Sequence, residues 1–231
     1  MNRVTKFAPK EFYHLYNRGT EKRDIFMSSQ DYERFLALMY FCNQSDGSSR
    51  IQGKTLSELI RLKQENNNGQ LVDISSYCLM PNHFHILARE KQEGGISKFM
   101  QKIMTGYTMY FNKKHERTGA LFQGKFKATH VNDDRYLSYL ISYIHLNPIK
   151  LIEPEWKEIG INNLKQAEKY LDTYRYSSYH DFLGRKRTES AILSKDSLPK
   201  YFNSGFDFKK NVVEWLSYPH ARLDLAGLGN I

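Results

Sequence analysis

Two histidines one residue apart, His83 and His85, stand in the run Tyr77-Cys78-Leu79-Met80-Pro81-Asn82-His83-Phe84-His85-Ile86-Leu87. Side chains alternate along a β-strand, so both imidazoles point one way while Phe84, with Ile86 and Ala88, points the other and can anchor a core. Two imidazoles on a rigid strand make half a site for a divalent metal. They are too few for a closed structural centre. A third protein ligand and open positions would make a site that a substrate phosphate can enter. Downstream, Tyr143 and Asn147 in Tyr143-Ile144-His145-Leu146-Asn147-Pro148 lie four residues apart, one turn apart on a helix face. A phenol and a carboxamide oxygen aimed at one point supply a nucleophile and a third ligand. Together the two motifs suggest metal-assisted attack on DNA by a tyrosine.

The plainer readings stand beside these. Paired histidines also occur as core or surface residues, and Tyr143 can pack in a core while Asn147-Pro148 ends its helix. The residue before a proline is biased away from the helical region, which puts Asn147 at the helix end. His145 is a competing ligand, but two residues from Tyr143 it faces elsewhere, and it ranks below Asn147. Tyr136 and Tyr139 are weaker candidates for the nucleophile. His14, His115, His130, His180 and His220 have no partner spacing and read as structural or surface residues.

The elements that must position these residues follow from pattern. A strand is expected over 12–17, a helix over about 30–44 capped by Ser28 or Ser29, a short helix over 55–65 and a turn over 66–69. Strands are expected over 71–79 and 83–89. After Gly94-Gly95, Ser97 caps a long helix to about His115 with Phe99, Ile103, Met104, Tyr107, Tyr110 and Phe111 as its apolar stripe. A strand over 120–131 leads to Asn132 or Asp133, which caps the helix carrying Tyr143. A further helix is expected over 164–182, and a short one over 209–216 in a tail. This order lacks a steady βαβ rhythm and favours an α+β sandwich with a largely antiparallel sheet.

Composition narrows the partners. The chain has 231 residues and a net charge of +9, from 34 Lys+Arg against 25 Asp+Glu. That excess points to a polyanion, nucleic acid being the commonest. Aromatic residues make up 14% of the chain; most must be core, and some can stack on unpaired bases. Cys42 and Cys78 form no CxxC pair and read as buried thiols. The first residues lack the apolar stretch of a signal peptide, and the longest apolar run, 35–42, is too short to cross a bilayer, so a reducing cytoplasm, associated with the nucleoid, is expected. Nucleotide-binding loops, nucleophile elbows and the zinc-deaminase pattern do not occur. Candidate phosphate contacts are Arg18, Lys98, Lys102, Lys113, Lys114, Arg117, Lys125 and Lys127; a basic run is also what a solvated face looks like.

With LMPNHFHIL followed by YIHLNPIK, the chain resembles the HUH single-tyrosine transposases, among them the REP-associated tyrosine transposases related to single-strand insertion-sequence enzymes. Tyr13-His14-Leu15-Tyr16-Asn17-Arg18-Gly19, Thr118-Gly119-Ala120-Leu121-Phe122-Gln123-Gly124 and Tyr176-Ser177-Ser178-Tyr179 carry the likeness over about 12–184. The resemblance implies a ferredoxin-like α+β sandwich with helices flanking a central sheet, and a catalytic domain over 1–184 with a C-terminal appendage over 185–231. It implies His83, His85 and Asn147 as ligands of Mg²⁺ or Mn²⁺, and Tyr143 as the nucleophile that leaves a 5′-phosphotyrosine and a free 3′-OH. The implied substrate is hairpin-bearing single-stranded DNA, and a monomer is favoured over a homodimer. The segment 43–70 is longer than a minimal member needs, and the tail maps to no family motif. For the tail, the Arg185-Lys186-Arg187 cluster suggests grip on a hairpin stem or partial cover of the site. A replication initiator or relaxase, and a non-catalytic nucleic-acid-binding module on the same scaffold, are the competing readings.

Overall fold

The chain alternates apolar and polar residues along four short segments, and these pair into one sheet. The computed structural model describes residues 6–45, 53–63 and 69–217. Strands β1 (Phe12–Arg18), β2 (Val72–Met80), β3 (His83–Glu90) and β4 (Lys127–Val131) lie in the order β2-β3-β1-β4, with every neighbour antiparallel. Helix α1 (Ser29–Cys42) and the short α2 (Leu56–Lys63) link β1 to β2, and α3 (Gly95–Lys114) links β3 to β4. This is the split β-α-β arrangement of a ferredoxin-like sandwich, as expected.

The helices divide by face. Phe84, Ile86 and Ala88 of β3 join Tyr13 and Leu15 of β1, and with α1 and α3 they form the first core cluster. Leu87 and Cys78 look the other way, into a second cluster built on α4 (Asp134–Leu146), α6 (Leu164–Thr173) and α8 (Gly205–Ser217). Both cysteines are buried and unbridged, as expected.

Capping follows the sequence in two places and departs from it in one. Ser28 and Asp31 form a reciprocal capping box on α1. Asp133 caps α4 by accepting the Tyr136 amide at 2.7 Å. Ser97, expected to cap α3, lies inside it. The helix begins at Gly95, where the Glu90 carboxylate accepts the Ile96 amide at 2.9 Å and faces the positive helix end. A Cβ on Gly95 would sit 2.3 Å from the Leu71 carbonyl, so only glycine lets α3 start this close to the sheet.

Two expected elements are shorter than their pattern. The strand expected over 120–131 is regular only from Lys127, because Gly124 turns at φ +69° and its carbonyl accepts from Asn17 Nδ2. The helix expected over 164–182 breaks at Tyr174, whose backbone is extended. Residues 176–178 are drawn onto the open edge of β2: the Leu79 amide donates to the Tyr176 carbonyl and the Ser178 amide to the Tyr77 carbonyl. Only four residues, α7 (Tyr179–Phe182), return to helix. Pairing an exposed sheet edge outweighs local helical preference.

In the tail, Phe208, Val212 and Leu216 of α8 are buried in the second cluster. Arg187 ion-pairs with Asp181 and donates to Tyr77, and Arg185 pairs with Asp172 at 3.0 Å. Two of the three cations in the basic cluster are therefore engaged within the fold. The turn expected over 66–69 falls, but for Gly69, outside the described residues, as does the end of the helix expected over 55–65.

Candidate active site

The antiparallel register decides which side chains share the second face of the sheet. Tyr16 is the partner of His85 in β3 and of Lys127 in β4, and Arg18 is the partner of His83. Directly opposed residues point to the same side. His83, His85, His14, Tyr16, Arg18 and Lys127 therefore lie on the face covered by α4. His14, read from the sequence as structural or surface, is fully buried with its Nε2 2.8 Å from His85 Nδ1.

That contact sets the chemistry of His85. With Nδ1 engaged by His14, the outward nitrogen is Nε2, which is buried and has no hydrogen-bond partner among the described residues. His83 Nδ1 donates to Asn82 Oδ1 at 2.6 Å, leaving its own Nε2 as the lone-pair nitrogen. Burial, reinforced by nearby cations, drives His83 down to about 3 and holds His85 well below the ordinary imidazole range. Both rings are neutral at physiological pH, the state a metal requires. An orphaned buried nitrogen beside a second lone-pair nitrogen suits a divalent cation, and the imidazole tied to His85 is the kind of outer support that fixes a ligand's orientation.

Helix α4 brings the tyrosine. The Tyr143 ring lies 5.8 Å from the His85 ring and 6.2 Å from that of His14, edge-on to both. Asn147 is buried with helical backbone angles, and the chain runs straight from α4 into a 3-10 turn over Asn147–Leu151. The bias imposed by Pro148 is thus absorbed by tightening the helix. Pro148 has no amide for the Ile144 carbonyl, and Asn147 Nδ2 stands in for it at 3.4 Å while also donating to the Tyr143 carbonyl at 2.9 Å. With the nitrogen spent on the backbone, the carboxamide oxygen is the atom suited to a cation. His145 points away, as its spacing implies, and its Nε2 meets Ser178 Oγ at 2.7 Å. The Tyr139 ring lies against Trp215 of α8 at 4.9 Å.

Burial, then the neighbouring phenols Tyr136 and Tyr16, raise the Tyr143 pKa above its ordinary value. The phenol is neutral in the free protein, so attack requires that its proton be taken. Lys157, on the one-turn helix α5 (Trp156–Ile159), places its Nζ 4.1 Å from the Tyr143 ring centroid. No motif marked this residue. Only the burial of Trp156 beside it in the second cluster brings it here.

The basic residues divide between the faces. Arg18 and Lys127 are on the tyrosine side, Arg18 donating to Gln123 Oε1 at 2.6 Å. Lys98, Lys102, Lys113 and Lys114 are on α3, across the sheet. There Lys114 ion-pairs with Asp31 at 2.8 Å, while Lys98 and Lys102 donate to the Ser45 and Gln44 carbonyls. Arg117 follows α3 and donates to Asn112 Oδ1 at 3.0 Å, and Lys125 is exposed in the loop before β4.

The family model described as "Transposase IS200 like" matches residues 13–147, more than half of the chain, from within β1 to Asn147. The chain belongs to the IS200-like transposases. No curated protein matches it. A solved REP-associated tyrosine transposase bound to a REP hairpin is similar at 14% identity and TM-score 0.48, over 89% of this chain and 96% of that one. The tRNA(His) guanylyltransferase of Saccharomyces cerevisiae is similar at 11% identity and TM-score 0.36, over 88% and 84%. Among the described residues of this transposase no helix is long and apolar enough to cross a membrane. No group of three or more His, Cys, Asp or Glu side chains forms a metal cluster among them either.

Proposed function

We propose that this transposase cleaves and rejoins single-stranded DNA through Tyr143, as a metal-dependent tyrosine transesterase acting beside hairpin repeats. The observation that carries the reading is the placement of the Tyr143 ring beside His85, whose buried Nε2 lacks a partner. His83, His85 and Asn147 would hold a divalent cation, Mg²⁺ or Mn²⁺, which when bound polarises a phosphodiester.

The residues of the chain do the rest. The Tyr143 hydroxyl gives up its proton and its oxygen bonds to phosphorus. The bond from phosphorus to the 3′ oxygen breaks, and that oxygen takes up a proton to become a 3′-OH. One phosphodiester replaces another, so no nucleotide triphosphate is consumed, and attack by a 3′-OH on the phosphotyrosine rejoins strands. His14 holds His85, and the helix backbone holds the Asn147 amide, so the groups are fixed before substrate arrives. We take the protein to act as a monomer, with the Tyr143 ring beside His85 of its own chain. Arg18 and Lys127, on the same face of the sheet as the histidines, would contact phosphate. The cations of α3, with Arg117 and Lys125, would meet DNA only along a path that extends beyond the tyrosine. We take residues 1–184 as the catalytic unit and the packed tail as its support.

The test is a covalent-adduct assay. Single-stranded DNA from repeats flanking the gene is incubated with the protein or with Tyr143→Phe, in Mn²⁺ or EDTA, and resolved on a denaturing gel. A metal-dependent shifted band with the wild type alone is expected. A band in both proteins moves the nucleophile to Tyr139 or Tyr136, and tight binding with no band favours a non-catalytic binding module.

A further inference from the structure

Lys157 has a placement that the metal set and the tyrosine do not explain. Its ammonium covers one face of the Tyr143 ring, and Tyr143 itself is only 5% exposed. Lys150, on the 3-10 turn that follows Asn147, is close enough for its charge to weigh on Lys157. Lys150, Lys157 and Arg18 all act electrostatically on His83. Three cations thus converge where a divalent metal is also expected. Among the described residues the carboxylate whose charge reaches Lys157 is Glu158, its exposed chain neighbour. A half-buried cation beside other cations, with a lone exposed counter-charge, is costly in the empty protein.

What such a place lacks is an anion. We propose that Lys157 is a substrate-binding residue of this centre: on DNA binding its ammonium leaves the Tyr143 ring and takes a non-bridging oxygen of the scissile phosphate, with Lys150 beside it. This rests on the transesterase reading above and extends it to a specific phosphate contact. The lysine side chain suits the exchange, being a compact charge on a flexible four-carbon stem. Moving from ring to phosphate uncovers the phenol and brings the phosphorus next to it in one step. Partial burial and Lys150 hold the free Lys157 down to about 7, and an arriving phosphate favours its charged form. His14, His83, His85, Tyr143, Lys150 and Glu158 are the titratable groups around it.

The experiment uses Tyr143→Phe protein, which binds without cleaving, and a series of hairpin strands. Each strand carries one neutral methylphosphonate at a successive position around the hairpin foot. Adding Lys157→Met should weaken binding of the unmodified strand about tenfold, the scale of a charged hydrogen bond. At one methylphosphonate position that loss should shrink to less than about twofold, since the partner charge is already gone. Lys157→Arg should bind within about threefold of the parent. Equal loss at every position, or no loss at all, overturns the proposal. If Lys157→Met melts early, Lys157→Gln replaces it in the same cycle. The adduct assay fails or succeeds independently of this cycle, so a wrong nucleophile and a wrong role for Lys157 give different results.

Discussion

Phe84 and His85 are adjacent in the chain and face opposite sides of the same strand. Phe84 is fully buried against Phe35 and Phe122, with ring centroids at 5.0 and 6.0 Å, in a cluster that is almost wholly apolar. His85 is equally buried, but its neighbours are His14, His83 and Tyr143, and polar atoms among them lack partners. The first face gains stability from every methylene it removes from water. The second forgoes part of that gain, because a buried polar atom without a partner costs free energy. Among the described residues the first face also carries such an atom, Glu90 Oε1, but around Tyr143 they include two ring nitrogens, His14 Nδ1 and His85 Nε2. This is how a small sandwich keeps a reactive site on a stable scaffold.

The sharpest way to break the comparison is to remove one residue from each face. Tyr143→Phe should lower cleavage by about 10⁴-fold or more, as losing a nucleophile does, with the melting temperature unchanged or raised. Phe84→Ala should lose about 3–5 kcal/mol of stability, as large-to-small core changes do. Single-turnover cleavage and urea unfolding of both proteins decide the matter; comparable stability losses would mean the faces do not differ in kind.

Next in size is the support for His85. His14→Ala should lower metal-dependent cleavage about 10- to 100-fold and weaken the Mn²⁺ dependence, the usual cost of losing a ligand's outer partner. A Mn²⁺ titration of cleavage checks this, and an unchanged curve would return His14 to a purely structural role.

Acid should act through the second face. His14 and His145 are both driven down to about 3, chiefly by burial. Their folded pKa lies below the unfolded value, so below about pH 6.5 the unfolded chain binds protons that the folded chain does not. Stability is then complete above about pH 6.5 and falls as pH drops toward about 3, by about 1 kcal/mol per pH unit for each such histidine. Urea unfolding at pH 7 and pH 5.5 measures the slope. His145→Leu should reduce that slope by one proton while leaving cleavage intact, because His145 serves Ser178 and not the tyrosine. A slope indifferent to that change would show that other groups control acid stability.

The smallest effect separates cations by face. Lys127→Ala, on the tyrosine side, should weaken DNA binding and lower the salt slope by about 1, while Lys113→Ala should do neither. Equal effects would mean that the DNA path reaches α3.

Much of the scaffold was legible because alternation and helical spacing are local properties. The HxH strand, the tyrosine helix and the largely antiparallel α+β class all follow from them. The elements that came out shorter than their pattern, 120–126 and 174–178, did so because distant backbone offered hydrogen bonds that no local window contains. Ser97 failed as a cap for the same reason: Glu90, on the preceding strand, reached the helix end first.

The site divides along the same line. The sequence by itself determined that His83 and His85 share a face, that Tyr143 and Asn147 share a turn, and that His145 does not join them, since each is a matter of spacing along one element. Only the tertiary structure decided that His14 is the support of His85 and that Lys157 lies on Tyr143. Strand register and helix docking set those pairings, and both depend on burying the apolar faces of separate elements together. His14 and His85 are 71 residues apart in the chain, and no periodicity spans that interval.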